Sequence, residues 1–479
     1  MMIHEMGNPL STLELVDDLQ RLGISYHFEN EIRNLLEVIY NTYYKTYDKW
    51  NKIDLNLKAL GFRLLRQHGY QVPQEIFHNF KDKTRLESHS DEDTMAMLNL
   101  YEASYLSFED ESILGNAREL ATKYLKENQE KMDESAISSL VSHALELPLH
   151  QRVPRVEAKW FIKVYEKKSD MNHTLLELAK LDFNMVQAIH VQDLKHTSRW
   201  WMNTRWDKKL SFGRDRVVMN FLWTIGTSYL PHYSNGRRTL AKLNCMITTI
   251  DDVYDVYGTL TELEQFTQVI DRWDINAIEE LPDYMKICFI GFYNTINEIS
   301  YNILADTGIF ILPYLKNAWA DLCKAYLVEA RWYYNGYAPT LQEYLDNAAV
   351  SISGPAVLIH AMFLTSVGAT QEILQCMERF EKIVHYSSLI LRLADDLGTS
   401  TTGATEEEAR RYIKELIHDT WKELNKERAT CANSQFSREF IEYATNLARM
   451  AQFVYAEGDG HGRPDLIKFD VSSLLFNPI

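Results

Sequence analysis

The chain has 479 residues, 46% of them hydrophobic and 12% aromatic, which is enough to bury more than one core and too apolar for a disordered chain. Its formal net charge is −17, which argues against nucleic acid as a partner, because phosphate backbones need a basic footprint. An anionic substrate must then be held by local cations against an unfavourable overall field.

The first stretch, MMIHEMGNPLSTLELVDDLQ, reads as neither a signal peptide nor a basic, serine-rich transit peptide. No run reads as reaching the roughly 18 apolar residues that a membrane span needs, so no membrane is expected as a partner. Apolar residues at three- and four-residue spacing mark TLELVDDLQRLGI, EIRNLLEVIYNTY and SAISSLVSHALEL as helices, and later TLLELAKLDFNMVQAI and EEEARRYIKELIHDTWKELN. Strand-like alternation is scarce, and eleven prolines and nineteen glycines suit long helices joined by short loops. The expected fold class is all-α. Residues 147–172, LPLHQRVPRVEAKWFIKVYEKKSDMN, place two prolines among basic residues and mark a seam between domains 1–168 and 169–479. Cys245, Cys288, Cys323, Cys376 and Cys431 are widely spaced without a CxxC pair, which fits reduced thiols used as small packing groups.

Past the seam, SFGRDRVVMNFLW supplies Arg214 and Arg216, with the helix expected to run through both. Alone they read as a surface pair. Asn244 stands two helical turns before Asp251 on nearly the same face, with Thr248 between them; it either orients a water or bonds a neighbouring helix. In CMITTIDDVYDVYGT, residues 245–259, an apolar helix ends in Asp251, Asp252 and Asp255 before Gly258, the expected terminator. Carboxylates there meet one another, the negative end of the helix dipole and a low dielectric. A hard divalent cation, Mg²⁺ or Mn²⁺, answers all three costs. SISGPAVL puts Gly354-Pro355 inside a helical pattern and forces a break that frees carbonyls near Ser351–Ser353. SSLILRLADDLGTS repeats the acidic design: Asp395 and Asp396, Arg392 three residues before Asp395, Gly398 as a stop, and Thr399. Two acidic helix ends facing each other would make a multi-metal cage, and Mg²⁺ favours substrate phosphate oxygens as its remaining ligands. RDR then becomes a diphosphate clamp.

DDVYD, RDR and LRLADDLGTS together resemble the plant class I terpene synthases. LYEASYLSFE, LELAKLDFNMVQ, YMKICF, LPYLKNAWADLCKAYLVEA and GDGHG are similar to the angiosperm monoterpene branch, and the resemblance spans essentially the whole chain. It implies two helical-barrel domains, an N-terminal one without known chemistry and a C-terminal one with the class I terpenoid synthase fold. It implies three Mg²⁺ or Mn²⁺ ions, an allylic prenyl diphosphate (geranyl diphosphate), a plastid stroma location and a monomer or homodimer. Asp251, Asp252 and Asp255 match the first metal motif, Asp395 and Thr399 the first two ligands of the second, and Arg214, Arg216 and Arg392 diphosphate-binding positions. Trp223 matches a cavity tryptophan, and Tyr455 beside GDGHG is a second aromatic for a carbocation, whose attraction to a ring face is about 0.5–2 kcal/mol. Captured by water that Asn244 orients, a terpinyl cation would give an alcohol or 1,8-cineole; deprotonated, limonene or sabinene.

The chain departs from the family in two places. Gly403 stands where the second metal motif has a glutamate, with Glu406, Glu407 and Glu408 the nearest acids; a loop of roughly twenty residues is expected to be missing there, of the mobile kind that closes over substrates. The RRx₈W motif is also absent. Competing readings are a sesquiterpene synthase acting on farnesyl diphosphate, a chain-elongating prenyltransferase, which would want a second DDxxD in place of DDLGT, and a silent helical scaffold. No DxDD occurs in residues 1–168, so protonation-initiated cyclisation has no acid there.

Overall fold

The structure, a computed structural model, describes residues 8–50, 52–78, 90–210, 212–365, 370–400, 404–431 and 435–479. Among the described residues every regular element is a helix. The chain divides into one unit of residues 1–185, 421–432 and 477–479, and a second of 186–420 and 433–476.

The first unit contains α1 Pro9–Arg21, α2 Glu29–Ile39, α3 Leu55–Gln67, α4 Asp91–Ser104, α5 Ser112–Gln129, α6 Ala136–Glu146 and α7 Pro154–Tyr165. Their starts are written locally. Asn8, Asp54 and Ser90 each accept a backbone N–H in the first turn that follows, and Ser135 with Ser138 forms a reciprocal capping box. Pro154, read from sequence as part of a seam, is instead the first residue of α7, where its missing N–H costs nothing. The division falls at 185/186, inside α8 His173–Thr204, and not at 168/169. A continuous helix carries the chain from one unit to the next and leaves no linker composition to read.

Charges are buried in this unit. Glu157 accepts from Arg21 at 2.8 Å and pairs with His143 at 2.7 Å, and these partners hold its carboxyl at about 2 in spite of burial. Glu102 has weaker help: burial pushes it up to about 7 against Arg63 and Arg21, while its Oε2 accepts from the Leu149 N–H at 2.8 Å. The folded chain keeps a proton that the unfolded chain releases near 4.5, so stability declines as pH rises through that window and the cost is complete above 7. Glu102→Gln, which keeps an acceptor for Leu149, should therefore stabilise the protein by ~1–2 kcal/mol at pH 8 and by nothing measurable at pH 4.5. Urea titrations at the two pH values check this; equal effects at both would contradict it.

The second unit continues with α9 Val217–Thr227, α10 Ser234–Asp252, α11 Leu260–Arg272, α12 Asp283–Thr307, α13 Leu312–Asn335, α14 Leu341–Ser351, α15 Gly354–Thr365, α16 Thr370–Thr399, the part of α17 Ala404–Cys431 up to Thr420, α18 Gln435–Val454 and α19 Lys468–Phe476. Capping boxes at Thr259/Glu262 and Thr340/Glu343 start α11 and α14. Gly308 and Gly336 end α12 and α13 at φ of +76° and +62°, a conformation side chains resist. Phe289, Phe292 and Trp319 are fully buried between α12 and α13, with Phe292 set edge-on to Trp319 at 4.5 Å. Cys245, Cys288 and Cys323 are buried, which pushes their thiols up to about 12 and leaves them as packing groups; Cys431 is buried too, and the side chain of Cys376 lies outside the described residues. Contrary to the sequence reading, Leu341–Leu364 does qualify for a membrane span by length and composition. It is broken between α14 and α15, and 61% of its apolar window is buried within the unit, as in a core helix.

Candidate functional site

α10 carries the first acidic rim. Its α-helical pattern ends at Asp252, and the backbone widens into a π turn over Val253–Tyr257, closed by the Gly258 N–H on the Val253 carbonyl at 2.8 Å. Such turns concentrate at functional sites. Gly258 stops the helix as expected but in extended backbone; a Cβ there would stand 2.6 Å from Leu263 Cδ2. Asp252 is 1% exposed, with Oδ2 accepting from the Arg214 backbone N–H at 2.9 Å and Oδ1 from Arg214 Nε at 2.6 Å. Asp251 Oδ2 accepts from Arg214 Nη2 at 3.0 Å. Burial, and next the charge of Asp255, push Asp251 up to about 7. The carboxyl of Asp255, an exposed residue, is raised as well by partial loss of water, against Arg214 and, more weakly, Arg392. α9 begins at Val217, so both arginines of RDR precede the helix and do not lie within it.

α16 carries the second rim. It runs through Gly398 to Thr399, so Gly398 is not the stop that the sequence led us to expect. A Cβ at Gly398 would press to 3.0 Å against Tyr455 Cβ and the Gly458 carbonyl; the glycine lets α16 lie against that loop. Arg392 pairs with Asp395 and, at 2.5 Å, with Asp396. Tyr455 hydrogen-bonds Asp395, and the Tyr344 hydroxyl donates to Asp396 Oδ1 at 2.7 Å. The exposed Thr399 hydroxyl donates to the Asp395 carbonyl at 2.8 Å and keeps lone pairs for a further partner. Gly403 and the side chain of Glu406 lie outside the described residues; Glu407 and Glu408 are exposed on α17.

The two rims feel each other's charge. Besides acting on Asp255, Arg392 acts on Glu329 of α13, whose carboxyl burial raises while the Ser351 hydroxyl and Arg392 lower it. Glu329 in turn adds to the charge around Asp251. The sequence reading missed Glu329, although the signal was there: it lies three residues after the buried Tyr326, on the inward side of an otherwise apolar helix. Among the described residues no three acidic, histidine or cysteine side chains already converge as a metal cluster, and Arg214 and Arg392 lie on the carboxylates. The donor set nonetheless fits a hard divalent ion: its ligating atoms are carboxylate oxygens, and their mutual repulsion is relieved by such an ion. Arg216 Nε and Arg392 Nε are buried and, among the described residues, have no acceptor, which a bound anion would supply.

Aromatic side chains stand beside the second rim, where Tyr455 meets Asp395. Trp223 and Tyr455, read separately from sequence, have ring centroids 6.2 Å apart. Trp223 Nε1 donates to Nδ1 of His461, 3.2 Å away. His461, also missed, is driven down to about 4 by burial and then by Arg214, so it is neutral at neutral pH. Its loop is tied to RDR, since Arg216 donates to the Gly462 carbonyl at 2.8 Å. Asn244 Nδ2 donates to the Asn220 carbonyl at 3.1 Å, the interhelical bond weighed from sequence, and its Oδ1 is uncommitted among the described residues. The break at Gly354-Pro355 is present: Ser353 has φ of +68°, and Pro355 has no N–H for the Ser351 carbonyl.

Residues 202–423 match the family described as terpene synthase family, metal binding domain, and residues 1–145 the terpene synthase N-terminal domain. The chain is 67% identical to a chloroplastic R-linalool synthase of Artemisia annua, over all of this chain and 87% of that one. A (−)-α-terpineol synthase of Vitis vinifera is 52% identical, with 100% and 84% covered. The structure of isoprene synthase from grey poplar, Populus x canescens, in complex with three Mg²⁺ ions and dimethylallyl-S-thiolodiphosphate, superposes with a TM-score of 0.91 at 45% identity, over 100% of this chain and 94% of that one. The first alignment runs over 497 positions against 479 residues here, so at least 18 positions have no counterpart in this chain.

Proposed function

The chain belongs to the terpene synthase family, and from that premise we propose that it ionises geranyl diphosphate with Mg²⁺ and quenches the cation with water to a monoterpene alcohol. The observation that carries this reading is two acidic rims, each threaded by an arginine and within reach of each other's charge, with the Trp223 and Tyr455 rings beside the second. Asp251, Asp255, Asp395 and Thr399 would hold the ions. Asp252, with both oxygens on Arg214, would orient that arginine. Bound there, Mg²⁺ supplies Lewis-acid neutralisation of the leaving diphosphate.

This chain's own residues do the rest. Arg214, Arg216 and Arg392 bind the diphosphate, so that the allylic C–O bond breaks with its electron pair leaving on oxygen. The remaining allylic cation lies against Trp223 and Tyr455, whose ring faces attract it and whose bulk excludes bulk water. The Ser351 carbonyl at the helix break adds a negative dipole. A single water held by Asn244 Oδ1 adds its oxygen to the cation and passes a proton to the released diphosphate, which gives a tertiary alcohol. The R-linalool synthase relative supports quenching before ring closure. Ring closure first, to α-terpineol or 1,8-cineole, is the second reading, supported by the α-terpineol synthase relative. The chloroplastic names of relatives support a plastid location.

Gas chromatography of products from geranyl diphosphate and Mg²⁺, beside farnesyl diphosphate, tests the reading; turnover of farnesyl diphosphate alone, or of neither, would overturn it. In the same assay Asn244→Ala should shift output from alcohols toward hydrocarbons by about tenfold in ratio, the effect of losing one positioning hydrogen bond. An unchanged ratio would remove Asn244 from water capture.

A further inference from the structure

One face of α14 gathers side-chain donors that the reaction above does not use. Tyr344, Asn347 and Ser351 recur at three- and four-residue spacing and share that face. The Tyr344 hydroxyl donates to Asp396 Oδ1 at 2.7 Å. Asn347 Nδ2 donates to the Ala325 carbonyl at 3.1 Å and to Glu329 Oε1 at 3.3 Å, and the Ser351 hydroxyl donates to the same Oε1 at 2.6 Å. The stripe thus fastens α14 to α16 at one end and to α13 at the other, and it stops at the helix break.

Among the described residues the Asp396 side chain has two partners, Tyr344 and Arg392. Arg392 is divided between Asp395 and Asp396, and its Nε has no acceptor among the described residues. Arg392 can turn to an anion only if the carboxylates it leaves keep other partners, because a buried carboxylate without a donor is costly. Asp395 has Tyr455. For Asp396 the remaining donor among the described residues is Tyr344.

We propose that Tyr344 is a positioning residue: by holding Asp396 it frees Arg392 for the substrate's diphosphate, acting through that carboxylate without touching substrate. The proposal rests on the diphosphate reading of the site. It also separates two adjacent aspartates, Asp395 turned to the metal and Asp396 kept as an anchor.

Calorimetric titration of inorganic diphosphate with Mg²⁺ into the full chain tests this without turnover. Tyr344→Phe keeps the ring and loses the hydroxyl; it should weaken diphosphate by about fivefold or more while the thermal midpoint stays near that of the wild type. Adding Asp396→Asn removes the charge that traps Arg392 and should restore affinity toward the wild-type value, a non-additivity that a merely structural tyrosine would not show. Wild-type affinity in Tyr344→Phe, or a loss that persists in the double variant, would overturn the proposal. Should Tyr344→Phe alone fail to fold, the double variant against Asp396→Asn carries the test: equal affinities support the proposal and a further loss overturns it. If the wild-type chain itself takes up no diphosphate with Mg²⁺, the reading of the site fails instead.

Discussion

Asp251→Asn should lower kcat/KM for geranyl diphosphate by about 10³-fold while leaving the protein as stable as the wild type or slightly more so. The two halves of this expectation have one cause. Asp251 is pushed up to about 7 by burial and by Asp255, so the fold already favours its uncharged form, and a neutral amide relieves repulsion that the wild-type chain tolerates. The same amide is a poor ligand for a hard divalent ion, and the neutralisation of the departing diphosphate goes with it. Diphosphate release and thermal unfolding, measured on one preparation, check the pair. A loss below tenfold, or a marked fall in stability, would show that the carboxylate serves the fold and not the metal.

Arg392→Gln should do comparable damage to turnover, about 10²–10³-fold, with the opposite sign in stability. Asp395 and Asp396 have side chains only 15% and 19% exposed, and both pair with Arg392. Removing the cation leaves two buried carboxylates short of a partner, at a cost of about 3 kcal/mol. Millimolar Mg²⁺ should recover part of that loss by mass action, since the ion binds only the folded chain. Thermal melts of Arg392→Gln with and without Mg²⁺ read this out; a melting point untouched by both substitution and ion would contradict it.

What could be read from the chain beforehand, and what could not, follows from how far each signal reaches along it. The helices, the acidic ends of α10 and α16, the arginines before α9 and the break ahead of Pro355 are all written within a few residues of one another, because periodicity, charge runs and proline act locally. Gly398 was misread for an instructive reason. A glycine near a helix end reads as a terminator, yet here it is demanded by the Tyr455 loop, some sixty residues later in sequence, lying against α16. Glu329, Tyr344 and His461 stayed out of view because their partners are set by packing between helices. The domain division at 185/186 was hidden for another reason: a helix with unbroken periodicity gives no sign of where its contacts change.

Counting Mn²⁺ bound per chain, from the paramagnetic resonance of the free ion in the presence of inorganic diphosphate, tests most directly whether the two rims act on one bound anion. The isoprene synthase complex holds three Mg²⁺ ions, and about three Mn²⁺ per chain are expected here, taken up together with diphosphate, with fewer in Asp251→Asn and fewer again in Asp395→Asn. Uptake indifferent to diphosphate, or a full complement retained in both variants, would contradict the account.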